Sequence, residues 1–168
     1  GDFDDDGNID LAITHRSQGQ VTVMLGRGNG TFDHGEGVTL QDSYPQYVVT
    51  GHFDGDGTLD MAVADSDNNC VYILSGIGDG RFEILKRFEV GSQPIAMVVA
   101  DLDDDGVADL AVVNNGEGSL SILLGEGNGD FRLPRNENYQ LPDDPLFVVA
   151  GDFDGDGLVD LATANQQS

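Results

Sequence analysis

Apolar residues along this chain fall in short continuous runs, three to five residues long, separated by polar stretches rich in glycine and aspartate. Runs of this length suit strands, and nowhere do they recur at the three-to-four-residue spacing of an amphipathic helix. One set of runs, at 47–49, 96–99 and 146–149, begins shortly after Pro45, Pro94 and Pro145. Such runs predict strands covered on both faces. A second set, at 11–13, 61–63, 110–113 and 161–163, follows an acidic loop, and a third occupies 21–25, 71–74 and 120–124. After the third set come Asn29-Gly30, Asp79-Gly80 and Asn128-Gly129. Pairs of this type accept positive φ in a tight hairpin, so a fourth strand is expected near Phe32, Phe82 and Phe131. That last strand is the least regular: Gly35 and Gly37 interrupt the first copy and Pro134 the third, as suits an outer edge.

The runs belong to a repeat. GDFDDDGNIDLAI at 1–13 returns as GHFDGDGTLDMAV at 51–63, ADLDDDGVADLAV at 100–112 and GDFDGDGLVDLAT at 151–163, at offsets of 50, 49 and 51. VTVMLGRGNGTF at 21–32 returns as VYILSGIGDGRF at 71–82 and LSILLGEGNGDF at 120–131. A period near fifty residues with four strands per unit predicts an all-β fold of β-propeller blades, each of four antiparallel strands running from axis to rim. A stacked β-solenoid is the alternative. The units are expected at about 1–44, 45–93, 94–144 and 145–168, the first and last incomplete, in a single array. Three-plus units do not comfortably close a ring that typically takes four to eight blades. A partial propeller is therefore expected, part of a longer array, with a small ring or assembly between chains as the other options. Exposed blade edges would favour self-association.

Charge sharpens the picture. The 168 residues carry 31 acidic against 7 basic side chains, a formal net charge of -24, which argues against nucleic acid as a partner. Membrane insertion is not expected either, since no apolar run approaches about 18 residues. Residues 1–4 show neither the basic start nor the apolar core of a signal peptide. Cys70 stands alone and reads as a small buried apolar side chain.

Numbered from its first acidic place, the repeated loop carries carboxylates at places 1, 3, 5 and 9 and glycine at 6. The copies are Asp2, Asp4, Asp6 and Asp10; Asp54, Asp56 and Asp60; Asp101, Asp103, Asp105 and Asp109; and Asp152, Asp154, Asp156 and Asp160. Two carboxylates about 4 Å apart repel by roughly 4 kcal/mol at an effective dielectric near 20, and no Lys or Arg lies within any loop. The glycine allows a bend that turns the carbonyl of place 7 inward, at Asn8, Thr58, Val107 and Leu158. Hard oxygen ligands in this number suit Ca2+ better than Mg2+ or zinc. Fifteen of the 31 acidic residues occupy these four places of the loops, which favours up to four ions over solvated turns. An EF-hand is excluded: its place-12 glutamate is replaced by Ile13, Val63, Val112 or Thr163, and strands follow. In the second copy His52 takes place 1, and an imidazole is a poor calcium ligand, so that site is expected to be weaker.

DFDGDGLVDLA at 152–162, together with the LSILLGEGNGDF block at 120–131, resembles the FG-GAP repeat in the form often called VCBS. That repeat is similar to the calcium-binding blades of integrin α-subunits. The resemblance covers essentially the whole chain. It implies a β-propeller with calcium between the first and second strands of a blade, in a secreted or cell-surface setting, and a role in adhesion or in binding protein or glycan. It also implies a ligand face opposite the calcium loops, here at 15–20, 65–69 and 114–119. The loop ligands of the family fall on the residues named above, except at His52.

Other chemistry is weakly supported. The GxGxGxF blocks precede a β-type run and not a helix, which removes a dinucleotide reading. His15 and His34 lie in polar connections without a fixed nucleophile, and Asn29-Gly30-Thr31 matches a glycosylation sequon that the turn explains equally well. The expected function is a non-enzymatic, calcium-stabilised scaffold. The rival is the propeller portion of a secreted polysaccharide-degrading enzyme whose catalytic residues lie elsewhere.

Overall fold

The computed structural model describes residues 1–133, 138–142 and 144–166. The expectation concerning Pro134 therefore lies outside the described residues. The chain is all-β, and the one helical element among the described residues is a single 3-10 turn at Arg16–Gln18. No described helix is long and apolar enough to cross a membrane.

Among the described residues, four antiparallel sheets follow one another along the chain. The first contains β1 (Leu11–His15), β2 (Gln20–Gly26), β3 (Phe32–His34) and β4 (Val38–Thr39). β3 and β4 both pair with β2, so Gly35 and Gly37 split what the repeat predicts as one outer strand. The second is a complete blade in the order β5 (Pro45–Gly51), β6 (Asp60–Asp65), β7 (Cys70–Gly76) and β8 (Phe82–Glu89). The third runs β9 (Pro94–Ala100), β10 (Asp109–Asn114) and β11 (Ser119–Gly125), and β11 pairs with both β12 (Phe131–Arg132) and β13 (Asn138–Gln140). The fourth is the pair β14 (Asp144–Gly151) and β15 (Asp160–Gln166). These are β-propeller blades, forming a partial propeller.

Local chemistry explains these elements. Proline lacks the N–H that a ladder needs, and each of the three repeat prolines lies at the start of an inner strand, first in β5 and β9 and second in β14, beside a register shift. The hairpins differ from expectation in detail. Asn29 does not adopt positive φ; instead Gly28 and Gly30 do, at 66° and 84°. The Asn29 Oδ1 accepts the Thr31 N–H at 3.0 Å, and the Arg27 N–H closes the loop on the Thr31 carbonyl. The loop is thus longer than a two-residue turn. His15 and His34 lie in strands and not in connections.

The core lies between the sheets. Alternation along each strand sends one side-chain set toward the preceding blade and the other toward the following one. Phe3, Val21 and Val23 of the first blade meet Met61, Val63, Leu74 and Phe82 of the second. Phe53, Ala62, Ala64, Val71 and Ile73 meet Met97, Leu110, Val112, Leu123 and Phe131 of the third. A third cluster, including Ala111, Val113, Leu120 and Val148, joins the third and fourth. Strands β6, β10 and β11 are buried throughout, and Cys70 is buried in β7, which pushes its thiol up to about 11.

Candidate metal centres

Each acidic loop joins the first and second strands of a blade, or leads into β1 in the first. Its backbone is curled by its own carboxylates. At place 1, Asp2, Asp101 and Asp152 accept the N–H of the place-6 glycine at 2.9, 2.9 and 3.0 Å. At place 5, Asp6, Asp56, Asp105 and Asp156 accept the place-7 N–H of Asn8, Thr58, Val107 and Leu158 at 2.7–2.9 Å. Place 3 behaves likewise: Asp4, Asp54 and Asp154 accept the N–H of Asp6, Asp56 and Asp156.

The result is four convergent carboxylate groups. Asp2, Asp4 and Asp6 form the first, Asp54, Asp56 and Asp60 the second, Asp101, Asp103 and Asp109 the third, and Asp152, Asp154 and Asp160 the fourth. In each, one oxygen from every member lies within 4.8 Å of the others. Asp10, Asp105 and Asp156 stand outside these groupings but share the same loops. The Asp2 Oδ1 is buried without a hydrogen-bond partner, an expensive state for an anionic oxygen unless a cation meets it. All-oxygen donor sets with this much charge fit a hard divalent cation, so these residues can hold a metal ion.

Place 9 has a role the sequence did not disclose. Asp10 is buried and accepts N–H bonds from Phe3 at 2.7 Å and from Gly26 at 2.6 Å, sixteen residues away at the end of β2. Asp60 does the same with Phe53 and Gly76, and Asp109 with Leu102 and Gly125. Each carboxylate therefore rivets the loop to the third strand of its blade. Burial raises the Asp60 and Asp109 carboxyls above the ordinary value, against the lowering effect of these N–H donors. In the fourth blade Asp160 accepts the Phe153 N–H at 3.0 Å.

The second loop differs from the others at place 1, where His52 stands. The His52 Nδ1 lies 2.6 Å from the Thr58 carbonyl oxygen, the place-7 acceptor. With its proton on Nδ1, the imidazole donates to the oxygen that an ion would use. The Thr58 hydroxyl donates to Asp56 at 2.6 Å and lies 2.8 Å from the Gly76 carbonyl, and its bond holds the Asp56 carboxyl below the usual range.

The third loop also departs from expectation. No cation lies within it in sequence, yet the Arg132 guanidinium reaches Asp103 at 2.8 Å from β12, 29 residues away. One loop thus carries a protein counter-charge.

On the opposite face, several polar residues of the 65–69 and 114–119 connections bond neighbouring segments. Buried Asp65 accepts from the Ser43 hydroxyl, the Asn68 side chain and the N–H groups of Tyr44 and Asp67. Burial opposes its ionisation, but these donors prevail and hold its carboxyl below the ordinary value. Asn69 accepts the Gln93 N–H, and Asn115 donates to the Pro145 carbonyl.

Comparison with known proteins agrees with this architecture. None of the curated proteins matches the chain. Among solved structures, the periplasmic gluconolactonase PpgL of Pseudomonas aeruginosa superposes with a TM-score of 0.62 at 20% identity, over 96% of this chain and 40% of that one. The Tc holotoxin pore of Photorhabdus luminescens superposes at 0.50 and 20% identity, over 90% of this chain and 8% of that one. The chain thus spans well under half of either, and at these identities the likeness concerns the fold. The FG-GAP-like repeat profile matches residues 2–63, 52–112 and 101–163, each match starting in one acidic loop and ending in the strand after the next. With the repeated loop, the blade topology and these three matches in one frame, the chain belongs to the FG-GAP-like repeat family.

Proposed function

We propose that this chain is a calcium-stabilised propeller scaffold, secreted or on a cell surface, that presents its loops to a protein or glycan without acting as an enzyme. One observation carries the reading: four loops of one design each bring three carboxylate oxygens within 4.8 Å of one another. Calcium is supported by the all-oxygen donors and the number of anionic ligands per loop. The first, third and fourth loops have carboxylates at all four places and hold the ion through Asp2 to Asp10, Asp101 to Asp109 and Asp152 to Asp160. The second, with His52 on the Thr58 carbonyl, binds more weakly. When bound, the ion neutralises the repelling carboxylates and fixes the bend between strands. It performs no reaction.

An ion that binds only the folded state stabilises it by mass action, about 2.7 kcal/mol at a hundred times its dissociation constant. For a domain of this size that is a rise in Tm of roughly 5–11 °C per site. Melting in EDTA and in millimolar Ca2+ tests the reading: a Tm unmoved by calcium refutes it. Binding on a glycan array, with no cleavage in a polysaccharide screen, supports the scaffold role, and cleavage transfers the reading to the enzymatic rival.

A further inference from the structure

The two seams that flank the second blade share one backbone contact. The carbonyl of the loop phenylalanine accepts an N–H from the hairpin glycine of the next blade: Phe3 from Gly80 and Phe53 from Gly129, both at 2.8 Å. At the second of these seams the donor follows an asparagine, Asn128-Gly129, where the first has Asp79-Gly80. An asparagine before glycine can close on itself, because glycine sets no side chain in the way. The glycine nitrogen attacks the asparagine Cγ, ammonia leaves, and water opens the succinimide to aspartate or isoaspartate. The attacking nitrogen must first lose its proton, so a hydrogen bond from that N–H withholds the reaction just as it withholds amide exchange.

At Asn128 every requirement but that one is met. The side chain is exposed, and its Oδ1 accepts the Asp130 N–H at 2.9 Å, which draws the carboxamide back toward the intervening Gly129 nitrogen. Its Nδ2 makes no hydrogen bond among the described residues, so the leaving group is free. What is withheld is the Gly129 N–H, held on the Phe53 carbonyl across the seam. Phe53 and Phe131 meet edge to face at 5.8 Å in that seam, and an ion pair between Lys86 of β8 and Asp130 crosses it. Asn115-Gly116 in the same blade is tied at both ends: the half-buried Asn115 donates to the Pro145 carbonyl and the Gly116 N–H to the Ser92 carbonyl, each at 3.0 Å.

We propose that Asn128 is a site of spontaneous, irreversible modification to isoaspartate, gated by the seam between the second and third blades. Opening of the seam releases the Gly129 nitrogen. The bond from that nitrogen to the Asn128 Cγ forms as the Cγ–Nδ2 bond breaks, the Gly129 proton departs with the ammonia, and one water then opens the ring. The product keeps the seam from closing again. Isoaspartate lengthens the main chain by one methylene just before Gly129, where space is short: a carbon added at Gly129 would lie 2.3 Å from the Leu85 Cδ2 and 3.4 Å from the Asp54 Cβ. The added methylene carries the N–H off the Phe53 carbonyl, and the new carboxylate stands beside Asp130, whose charge Lys86 already offsets. A reversible opening thus becomes permanent. The inference rests on contacts between two neighbouring blades of the chain and not on the reading of the acidic loops as ion sites.

The test is to age the 168-residue chain at mildly alkaline pH, natively folded and unfolded in guanidinium, and to follow Asn128 by mass-spectrometric peptide mapping, which separates it from Asn29 and Asn115. Asn128 should convert in both, about tenfold or more slowly in the folded chain. Lys86→Ala, which removes the ion pair across the seam, should speed conversion in the folded chain about two- to fivefold and leave the unfolded rate unchanged. In the isolated isoaspartate product the Gly129 amide should exchange faster than in wild type. Asn128→Asp, which adds the charge without the methylene, should keep the wild-type exchange at that amide. Conversion as fast in the folded chain as in the unfolded one, no conversion at Asn128 in the folded chain, a Lys86→Ala rate equal to wild type, or an isoaspartate product with wild-type exchange at Gly129 overturns the proposal.

Discussion

Replacing His52 with aspartate should complete the second loop at the expense of the metal-free protein. In the other three loops the place-1 carboxylate accepts the N–H of the place-6 glycine at 2.9–3.0 Å, so the new side chain gains the Gly57 N–H. A hydrogen bond to a charged group contributes about 1.5–3 kcal/mol, and less at an exposed loop such as this one. Against it stand the loss of the His52 contact to Thr58 and the repulsion from Asp54 and Asp56. At about 4 Å each such pair costs roughly 1 kcal/mol in water and roughly 4 at a dielectric near 20. In EDTA the variant should therefore be less stable than wild type by about 1–3 kcal/mol, a fall of roughly 2–12 °C in Tm. In calcium the order reverses: one more ion binds with an affinity like that of the other loops, and saturation near a hundred times the dissociation constant returns about 2.7 kcal/mol. Titration calorimetry counts the ions and scanning calorimetry in the two buffers reads the crossover. Equal numbers of bound ions in the two proteins, or a variant more stable than wild type in EDTA, would refute the idea that His52 stands in for the cation.

Two further outcomes follow from other contacts. Asp65→Asn should lower stability by about 2 kcal/mol at pH 7, because an amide accepts less strongly from Ser43, Asn68, Tyr44 and Asp67. The folded Asp65 carboxyl lies below its unfolded value of 3.8, so its contribution is present above that pH and is lost as pH falls through the depressed value. The gap between wild type and variant in thermal melts should narrow accordingly below about pH 3.8. Arg132→Ala should change stability by at most about 1 kcal/mol, since the pair with Asp103 is largely exposed, yet should raise calcium affinity at the third loop by up to about fivefold in calorimetry.

Much of the fold was legible because each blade spells out the same short-range instructions. Apolar runs, a proline where a ladder N–H is dispensable and a glycine where φ must be positive placed the first three strands of each unit. The outer strand was less legible, since its break at Gly35 and Gly37 depends on how β2 is shared between β3 and β4. In the loops, spacing found the residues but not all their partners. The place-9 aspartates reach the end of a strand sixteen residues on, and Arg132 crosses 29 residues to Asp103. His52 was conspicuous as an exception, but only the folded backbone shows its ring on the Thr58 oxygen. On the far face, composition shows polar connections but not that Asp65, Asn69 and Asn115 bond neighbouring segments.

The bonds from Gly80 to Phe3 and from Gly129 to Phe53 give the acidic loops reach beyond their own sheets, because the donated-to carbonyl sits between places 1 and 3 of the loop. A loop that splays under its own charge therefore loosens its grip on the neighbouring sheet before any ladder within a sheet is disturbed. Weakening should then spread as slippage between leaves of an intact fan, with the amides of Gly80 and Gly129 losing protection from exchange earlier than the buried strands β6 and β10. The ambient supply of divalent cation would in this way govern how stiffly the leaves are held at a common angle, and with it the shape of any surface that several of them build together.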